Sequence, residues 1–448
     1  MSLVSRRTAL RRMAAWALPC GLLHANVLPR FVRGAEKDRR ATAAEIEKLL
    51  FEKVLAAWFP RCLDTAQGGF HENFSEDWTR QPADSKFLVY QARMTWTPAA
   101  VILDYPEQRS RMADYVRHGL QFLGDKMWDA ERGGFFDRTD AAGRGNPQRM
   151  PWKQLYSYVF GIYAAATAYE AIRERRALDL AVDAFRWLER HAHDPEHGGY
   201  YEHFTVDGRP VAMDVPERQL GQGLPVIGRV GYKSMNAHIH TLEALIALRR
   251  VCDDPLLDKR LHETFQIVRD KIVRPGGHLA MFCARDFAPR DEHSSFGHEL
   301  EIAYLLMEAA ALLRRADDQV TRRTALALVD HSLRWGWDAA HGGFYDEGPP
   351  AAPPTKTEKV WWVQPEGMNG LLTVAEFPGA DRQRYLQAFD RTWAFFRDHM
   401  LDHRHGDCYE VVHADGSPIP GKRHKATPWK AAYHITRGLL FAIHRCRT

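Results

Sequence analysis

Six times the chain writes a short glycine signature: Gly68-Gly69-Phe70, Gly133-Gly134-Phe135, Gly198-Gly199-Tyr200, Gly276-Gly277-His278, Gly342-Gly343-Phe344 and a degenerate Gly406-Asp407-Cys408. Their first glycines are 65, 65, 78, 66 and 64 residues apart. So regular a period marks a repeated supersecondary unit, and the stretches between signatures carry apolar residues at helical spacing, enough for two helices each. Twelve helices in six hairpins predict an all-α fold, a closed (α/α)6 barrel. The sixfold count uses the chain from about residue 36 to its end, which favours a ring over an open stack. Chemistry is then expected where the inner helices begin, at one mouth of the ring.

Outer helices are predicted near 41–59, 108–127, 177–193, 255–273, 318–336 and 382–400, with inner helices near 87–104, 152–173, 233–251, 296–315, 359–376 and 427–445. The inner starts carry polar and aromatic residues, and their later halves are plain and apolar, as in Ala244-Leu245-Ile246-Ala247-Leu248. The glycine signatures precede these starts and read as short β-hairpins at the rim. Segments 143–147, 210–231 and 349–354 are longer rim loops, of the kind that shape a pocket.

Residues 1–35 follow a different logic. Ser5-Arg6-Arg7-Thr8 precedes an apolar run from Met13 to Leu23 that is too short to span a bilayer, with no acid before Glu36. This reads as a twin-arginine export signal, placing the protein in the periplasm or outside the cell, with 36–448 as one catalytic domain. The leader contains six of the 61 basic residues. What remains is close to neutral, which argues against a nucleic-acid partner. Cys62, Cys252, Cys283, Cys408 and Cys446 form no CxxC pair and read as buried thiols.

At the predicted mouth, His298 and His434 draw most weight. A histidine accepts or donates a proton near neutrality, so two of them can move a proton between the faces of one carbon. Glu301 lies three residues after His298 on the same helical face, and His240 with Glu243 repeats the spacing. A metal is disfavoured at His238 and His240, because residues two apart on a helix diverge by about 200°. Asp402-His403-x-His405-x-Asp407, at a rim turn, could hold a hydrated cation. Trp96, Tyr156, Trp361, Trp362 and Trp429 gather at the same end, where flat rings can stack on the C–H face of a sugar.

Four stretches resemble the N-acylglucosamine 2-epimerase superfamily, and within it the cellobiose 2-epimerases: Lys233-Ser-Met-Asn-Ala-His-Ile-His-Thr-Leu-Glu-Ala244, Gly297-His-Glu-Leu-Glu301, Lys359-Val-Trp-Trp-Val-Gln364 with Glu366, and Pro428-Trp-Lys-Ala-Ala-Tyr-His434 with Arg437. The resemblance covers about residues 45–446 and implies a mono- or oligosaccharide substrate epimerised at C2, with no metal or organic cofactor. It implies that His298 and His434 are the acid/base pair and that Arg93 and Tyr156 bind the reacting end. His240 and Glu301 support the chemistry, while Asn236, His238, Glu243, Trp361, Trp362, Glu366 and Trp429 contact the sugar. Tyr304, where relatives often carry tryptophan, and Pro365 depart from the pattern. Aldose–ketose isomerisation shares the enediolate intermediate and is the near alternative. A glycoside or unsaturated-uronide hydrolase would instead need paired carboxylates, for which Asp77 and Glu366 are candidates. A carbohydrate-binding protein would keep the tryptophans but not the histidines.

Overall fold

The structure is a computed structural model that describes residues 30–147, 150–211, 231–290, 293–315 and 317–448, with side chains from residue 39 onward. Among the described residues twelve helices of 13 residues or more alternate between two layers. The outer layer is α1 (Arg30–Leu49), α3 (Arg109–Phe122), α5 (Arg175–His191), α7 (Pro255–Ile267), α9 (Gln319–Trp335) and α11 (Arg382–Phe395). The inner layer is α2 (Leu88–Asp104), α4 (Leu155–Ile172), α6 (Met235–Val251), α8 (Phe296–Leu312), α10 (Val363–Ala375) and α12 (Tyr433–Arg447).

Sequence pattern explains the layering. In α5 the buried Ala177, Ala181, Ala184, Phe185 and Leu188 form one stripe, so one face packs and the other is wet. In α4 nearly every residue from Leu155 to Ile172 is buried, and no polar face remains. Each inner helix packs against the next, and α12 returns to pack on α2 and α1. The ring is therefore closed. Four outer helices, α1, α3, α7 and α11, end in π-helical turns (Leu50–Leu55, Leu123–Met127, Val268–Ile272 and Phe396–Met400) before the signature follows.

At each signature the chain reverses through one antiparallel bridge, as in Leu63 with Phe70, Trp128 with Phe135 and His193 with Tyr200. Gly68 and Gly69 have φ of +83° and +69°, and a Cβ on Gly69 would lie 2.5 Å from the Gln91 amide oxygen. Only glycine fits there without strain. The predicted hairpins are thus present in minimal form. A second set of short strands links neighbouring repeats: β1 (Ser85–Phe87) with β2 (Arg138–Asp140), β3 (Trp152–Gln154) with β4 (His203–Thr205), β5 (Lys233–Ser234) with β6 (Phe282–Cys283), β7 (Ser294–Ser295) with β8 (Glu347–Gly348), and β9 (Lys359–Val360) with β10 (Val411–Val412). A bridge between Phe74 and Ala426 joins the first and last repeats.

These strands correct the expected inner-helix starts. Residues 152–154, 233–234 and 359–360 are extended because they pair across repeats, a non-local partnership that helical spacing does not reveal. Trp361, Trp362 and Trp429 consequently precede their helices. Pro365 falls in the first turn of α10, where a missing N–H removes no helical bond. Among the described residues α1 starts at Arg30, so its first turns overlap the end of the export segment expected over residues 1–35. The twin-arginine segment and most of loop 210–231 lie outside the described residues. Among the described residues no helix is long and apolar enough to cross a membrane.

The rim is held by a device that the glycines only hint at. In five repeats an aspartate four residues before the first glycine accepts a hydrogen bond from a buried lysine: Asp64 from Lys86 at 2.8 Å, Asp129 from Lys153 at 3.0 Å, Asp194 from Lys233 at 2.9 Å, Asp338 from Lys359 at 2.8 Å and Asp402 from Lys425 at 2.6 Å. Lys153, Lys233 and Lys359 also donate to the carbonyl of the first signature glycine, each at 2.6 Å. The fourth repeat lacks the pair, with Ile272 four residues before Gly276 and Ser294 where the other repeats carry the lysine. There Ser294 donates to Glu299, whose other oxygen accepts from Ser332 at 2.6 Å and from His331 Nδ1 at 2.9 Å. The cation site expected at 402–407 is accordingly already filled: Lys425 neutralises Asp402, Lys430 pairs with Asp407, and His403 bonds the Arg397 carbonyl.

Candidate active site

The starts of the inner helices converge on one buried cluster whose hub is Arg437, one turn into α12. Its guanidinium donates to Glu243 of α6, to Glu301 of α8 and, at 2.6 Å, to Glu366 of α10. Three carboxylates from three helices therefore share one cation. Burial pushes the Glu243 carboxyl up, but Arg437 and the hydrogen bonds from His240 and Tyr433 outweigh it and bring it down to about 2. Glu301 and Glu366 stay raised because burial is the larger effect there.

These carboxylates orient imidazoles. His434 places Nδ1 2.7 Å from Glu366, whose second oxygen accepts from the Tyr304 hydroxyl at 2.7 Å. His240 places Nδ1 3.0 Å from Glu243, which also accepts from Tyr433 at 2.7 Å. His298 differs, since its Nδ1 meets the hydroxyl of Ser295 at 2.7 Å. Burial lowers the His298 imidazole to about 3, and the charges of His240, Arg93 and Arg437 add to that. Burial, then Arg93 and Arg437, lowers His434 well below the ordinary histidine range. Both rings are neutral at pH 7, the form that can take a proton.

Aromatic groups cover the cluster. The Trp362 ring lies 4.6 Å from His298 and 5.5 Å from His434, centre to centre. Gly297 permits this approach, because a Cβ there would sit 2.4 Å from the indole. Tyr156 lies 5.4 Å from His240 and 6.3 Å from Trp429, and its hydroxyl accepts from Arg93 at 3.0 Å. Arg93 stacks over Phe160 at 4.5 Å and Tyr433 at 5.1 Å, bonds the Trp429 carbonyl, and leaves its Nε without a protein partner. One oxygen of Glu301 and the Asn236 amide oxygen are likewise buried and unpartnered. Unpaired buried groups such as those of Arg93 and Glu301, beside three imidazoles, can bind a polar ligand.

Donor atoms of His240, His298 and Glu301 lie within 4.8 Å of one another, as do those of Glu301, Glu366 and His434. These residues have the chemistry to hold a cation, but Arg437 already pairs with both carboxylates, so a metal would have to compete with a guanidinium.

Most of the residues expected at the site are brought together: Arg93, Tyr156, His240, Glu243, His298, Glu301, Trp362, Glu366, Trp429 and His434. His238 is a correction. It is fully buried, its Nδ1 donates to the Ser234 carbonyl, and its Nε2 accepts the backbone N–H of Tyr200 at 3.2 Å. It clamps a rim turn, as the Gln91 and Gln364 amides do at Phe70 and Phe344. Trp361 is mostly core, packed into the hydrophobic cluster. Trp96 forms part of the floor, edge-on to Tyr433 at 4.8 Å. Asp77 is fully exposed in a turn with Ser75 and Thr79 and makes no pair with Glu366. Arg437, Tyr433, Tyr304, Phe160 and Ser295 were missed as site residues. For Arg437 the signal was present, as a basic residue three positions after His434.

Comparison with known proteins agrees with this geometry. Residues 68–437 match the N-acylglucosamine 2-epimerase (GlcNAc 2-epimerase) family. The cellobiose 2-epimerase of Bacteroides fragilis is 29% identical over 401 residues, 88% of this chain and 96% of that protein. The structure of the cellobiose 2-epimerase from Spirochaeta thermophila superposes with a TM-score of 0.78 at 30% identity, covering 93% of this chain and 99% of that one. A D-mannose isomerase of Marinomonas mediterranea is 24% identical over 424 residues, 89% of this chain and 96% of that protein. The chain belongs to the N-acylglucosamine 2-epimerase family.

Proposed function

We propose that the protein is a sugar 2-epimerase that inverts C2 at the reducing end of an aldose or oligosaccharide, with a cellobiose-like disaccharide as the first substrate to try. One observation carries the reading. Two neutral imidazoles on different inner helices, His298 and His434, both lie against one indole, Trp362, inside a closed ring of helices.

The chemistry follows from these groups. In the open-chain sugar the C1 aldehyde acidifies the C2–H bond. A neutral histidine takes that proton, the C2–H bonding pair becomes the C1=C2 bond, and the carbonyl π pair moves onto the C1 oxygen to give an enediolate. Arg93, with His240 near it, stabilises the developing negative charge in a site of low dielectric. The second histidine, having taken a proton from solvent to become its imidazolium, delivers that proton to C2 from the other face, and the first releases to solvent the proton it removed. Delivery to C1 instead would yield the ketose.

Incubation with cellobiose, mannose and N-acetylglucosamine in deuterated water tests the proposal. Deuterium at C2 in both epimers is expected, and either His298→Asn or His434→Asn should cut net epimerisation by about 10²–10⁴-fold. New reducing ends without C2 label would mean a hydrolase, and a labelled ketose as main product would mean an isomerase.

Export is proposed on the sequence of Arg6, Arg7 and the apolar run that follows. Cell fractionation of the Arg6→Lys/Arg7→Lys precursor checks it: retention in the cytoplasm is expected, and unchanged secretion refutes the twin-arginine route.

A further inference from the structure

The two histidines differ in what holds them. Glu366 can only accept, so it commits His434 to a proton on Nδ1 and leaves Nε2 as a lone pair. Ser295 is a hydroxyl with one proton. It caps α8 by accepting the His298 backbone N–H at 3.4 Å, is 3% exposed, and among the described residues has no acceptor for its own proton except His298 Nδ1. A buried hydroxyl proton left without an acceptor is costly, so it is donated to Nδ1 and neutral His298 carries its proton on Nε2.

We infer that Ser295 is the positioning residue of His298 and makes the histidine pair asymmetric: in the resting enzyme His434 presents a lone pair and His298 an N–H. The hydroxyl can also turn and accept from a protonated ring. His298 can therefore keep its partner whether Nδ1 is bare or protonated, whereas a carboxylate would fix the proton on Nδ1, as Glu366 does for His434, and an apolar side chain would offer no partner. Other groups facing His298 are His240 from α6, Arg93 from α2, Arg437 and His434 from α12, Glu301 on its own helix and the Trp362 ring. None of them bonds Nδ1.

This inference rests on the epimerase reading, and its test separates the two. Three variants are compared over pH. Ser295→Thr keeps both the cap and the hydroxyl and should behave as wild type. Ser295→Ala should lower kcat about tenfold with little change in KM. Ser295→Asp keeps the cap but replaces the two-way partner with an anion that favours imidazolium. In the direction where His298 must be neutral, the acidic limb of kcat/KM should then move to higher pH. Imidazole ¹⁵N shifts of the sugar-free enzyme read the tautomers whatever the activity, with Nε2–H expected on His298 and Nδ1–H on His434. If His298 shows Nδ1–H, or if the Ala and Asp variants lose only stability and keep the wild-type pH profile, Ser295 is a helix cap and nothing more. Absence of C2 exchange in wild type with the expected tautomers would instead remove the epimerase reading and leave the tautomer assignment standing.

Discussion

At five of the six rim turns a lysine faces an aspartate, joined at Asp194 by Arg285, whereas inside the barrel one arginine faces three glutamates. Both arrangements are buried, yet their accounts differ. A rim lysine has its charge matched and its remaining N–H groups taken by carbonyls: Lys153 bonds Asp129, Gly133 and Val206. Nothing is left to react. The interior cluster is short of positive charge, keeps unpartnered atoms on Glu301, Arg93 and Arg437, and hands its surplus carboxylate oxygens to imidazoles. Balanced ion pairs shape the mouth, and the unbalanced one is where protons can move.

The comparison is most strongly tested at the hub. Arg437→Met leaves three buried carboxylates without their cation, and breaking such a cluster should cost at least the ~3–5 kcal/mol of a buried pair. The loss should depend on pH with a definite sign. Glu301 and Glu366 are already raised in the folded state, and without Arg437 they rise further. A group whose folded value exceeds its unfolded one withdraws stability as pH rises, so the variant should melt closer to wild type at pH 5 than at pH 8. Thermal melts at both values check this, and equal losses would mean that Arg437 does not hold the carboxylates ionised.

A smaller effect is expected at the rim. Lys153→Met strands Asp129, but the backbone N–H groups of Glu131 and Arg132 still bond that carboxylate at 3.2 and 3.1 Å. The cost should fall near the lower end of ~3–5 kcal/mol, with kcat per folded molecule unchanged. Denaturant titration and active-site-normalised rates read the two parts separately. A large fall in kcat would dissolve the distinction between shaping and reacting pairs.

Much of this was legible in the sequence. The glycine period gave the sixfold ring, and the polar starts of the inner helices gave His298, His434, His240, Glu301 and Glu366. What escaped was non-local. Asp-x-x-x-Gly occurs at Asp64, Asp129, Asp194, Asp338 and Asp402, but the lysine that answers each one lies 21 to 39 residues onward, so only the folded turn pairs them. His238 looked like a ligand because it shares a motif with His240, yet their side chains diverge, one to a rim turn and the other to the cluster. Arg437 escaped because its three partners come from three other helices.

The seam between the first and last repeats bears on how the molecule is made. Each hairpin closes within about 65 residues, but the seam joins Phe74 to Ala426, and Arg39 to Asp390 across 351 positions. Chain-closure entropy grows only with the logarithm of length, so sealing the ring costs about 1.5 kcal/mol more than closing one repeat. That penalty is small in equilibrium terms and large in order of events. Hairpins can dock on their neighbours as the chain lengthens, whereas α12, which carries both His434 and Arg437, must arrive before the seam can shut. Helix α12, made after the other eleven, thus brings half of the acid/base pair and the guanidinium that three waiting glutamates require, so a chain with an open seam is also a chain without its chemistry.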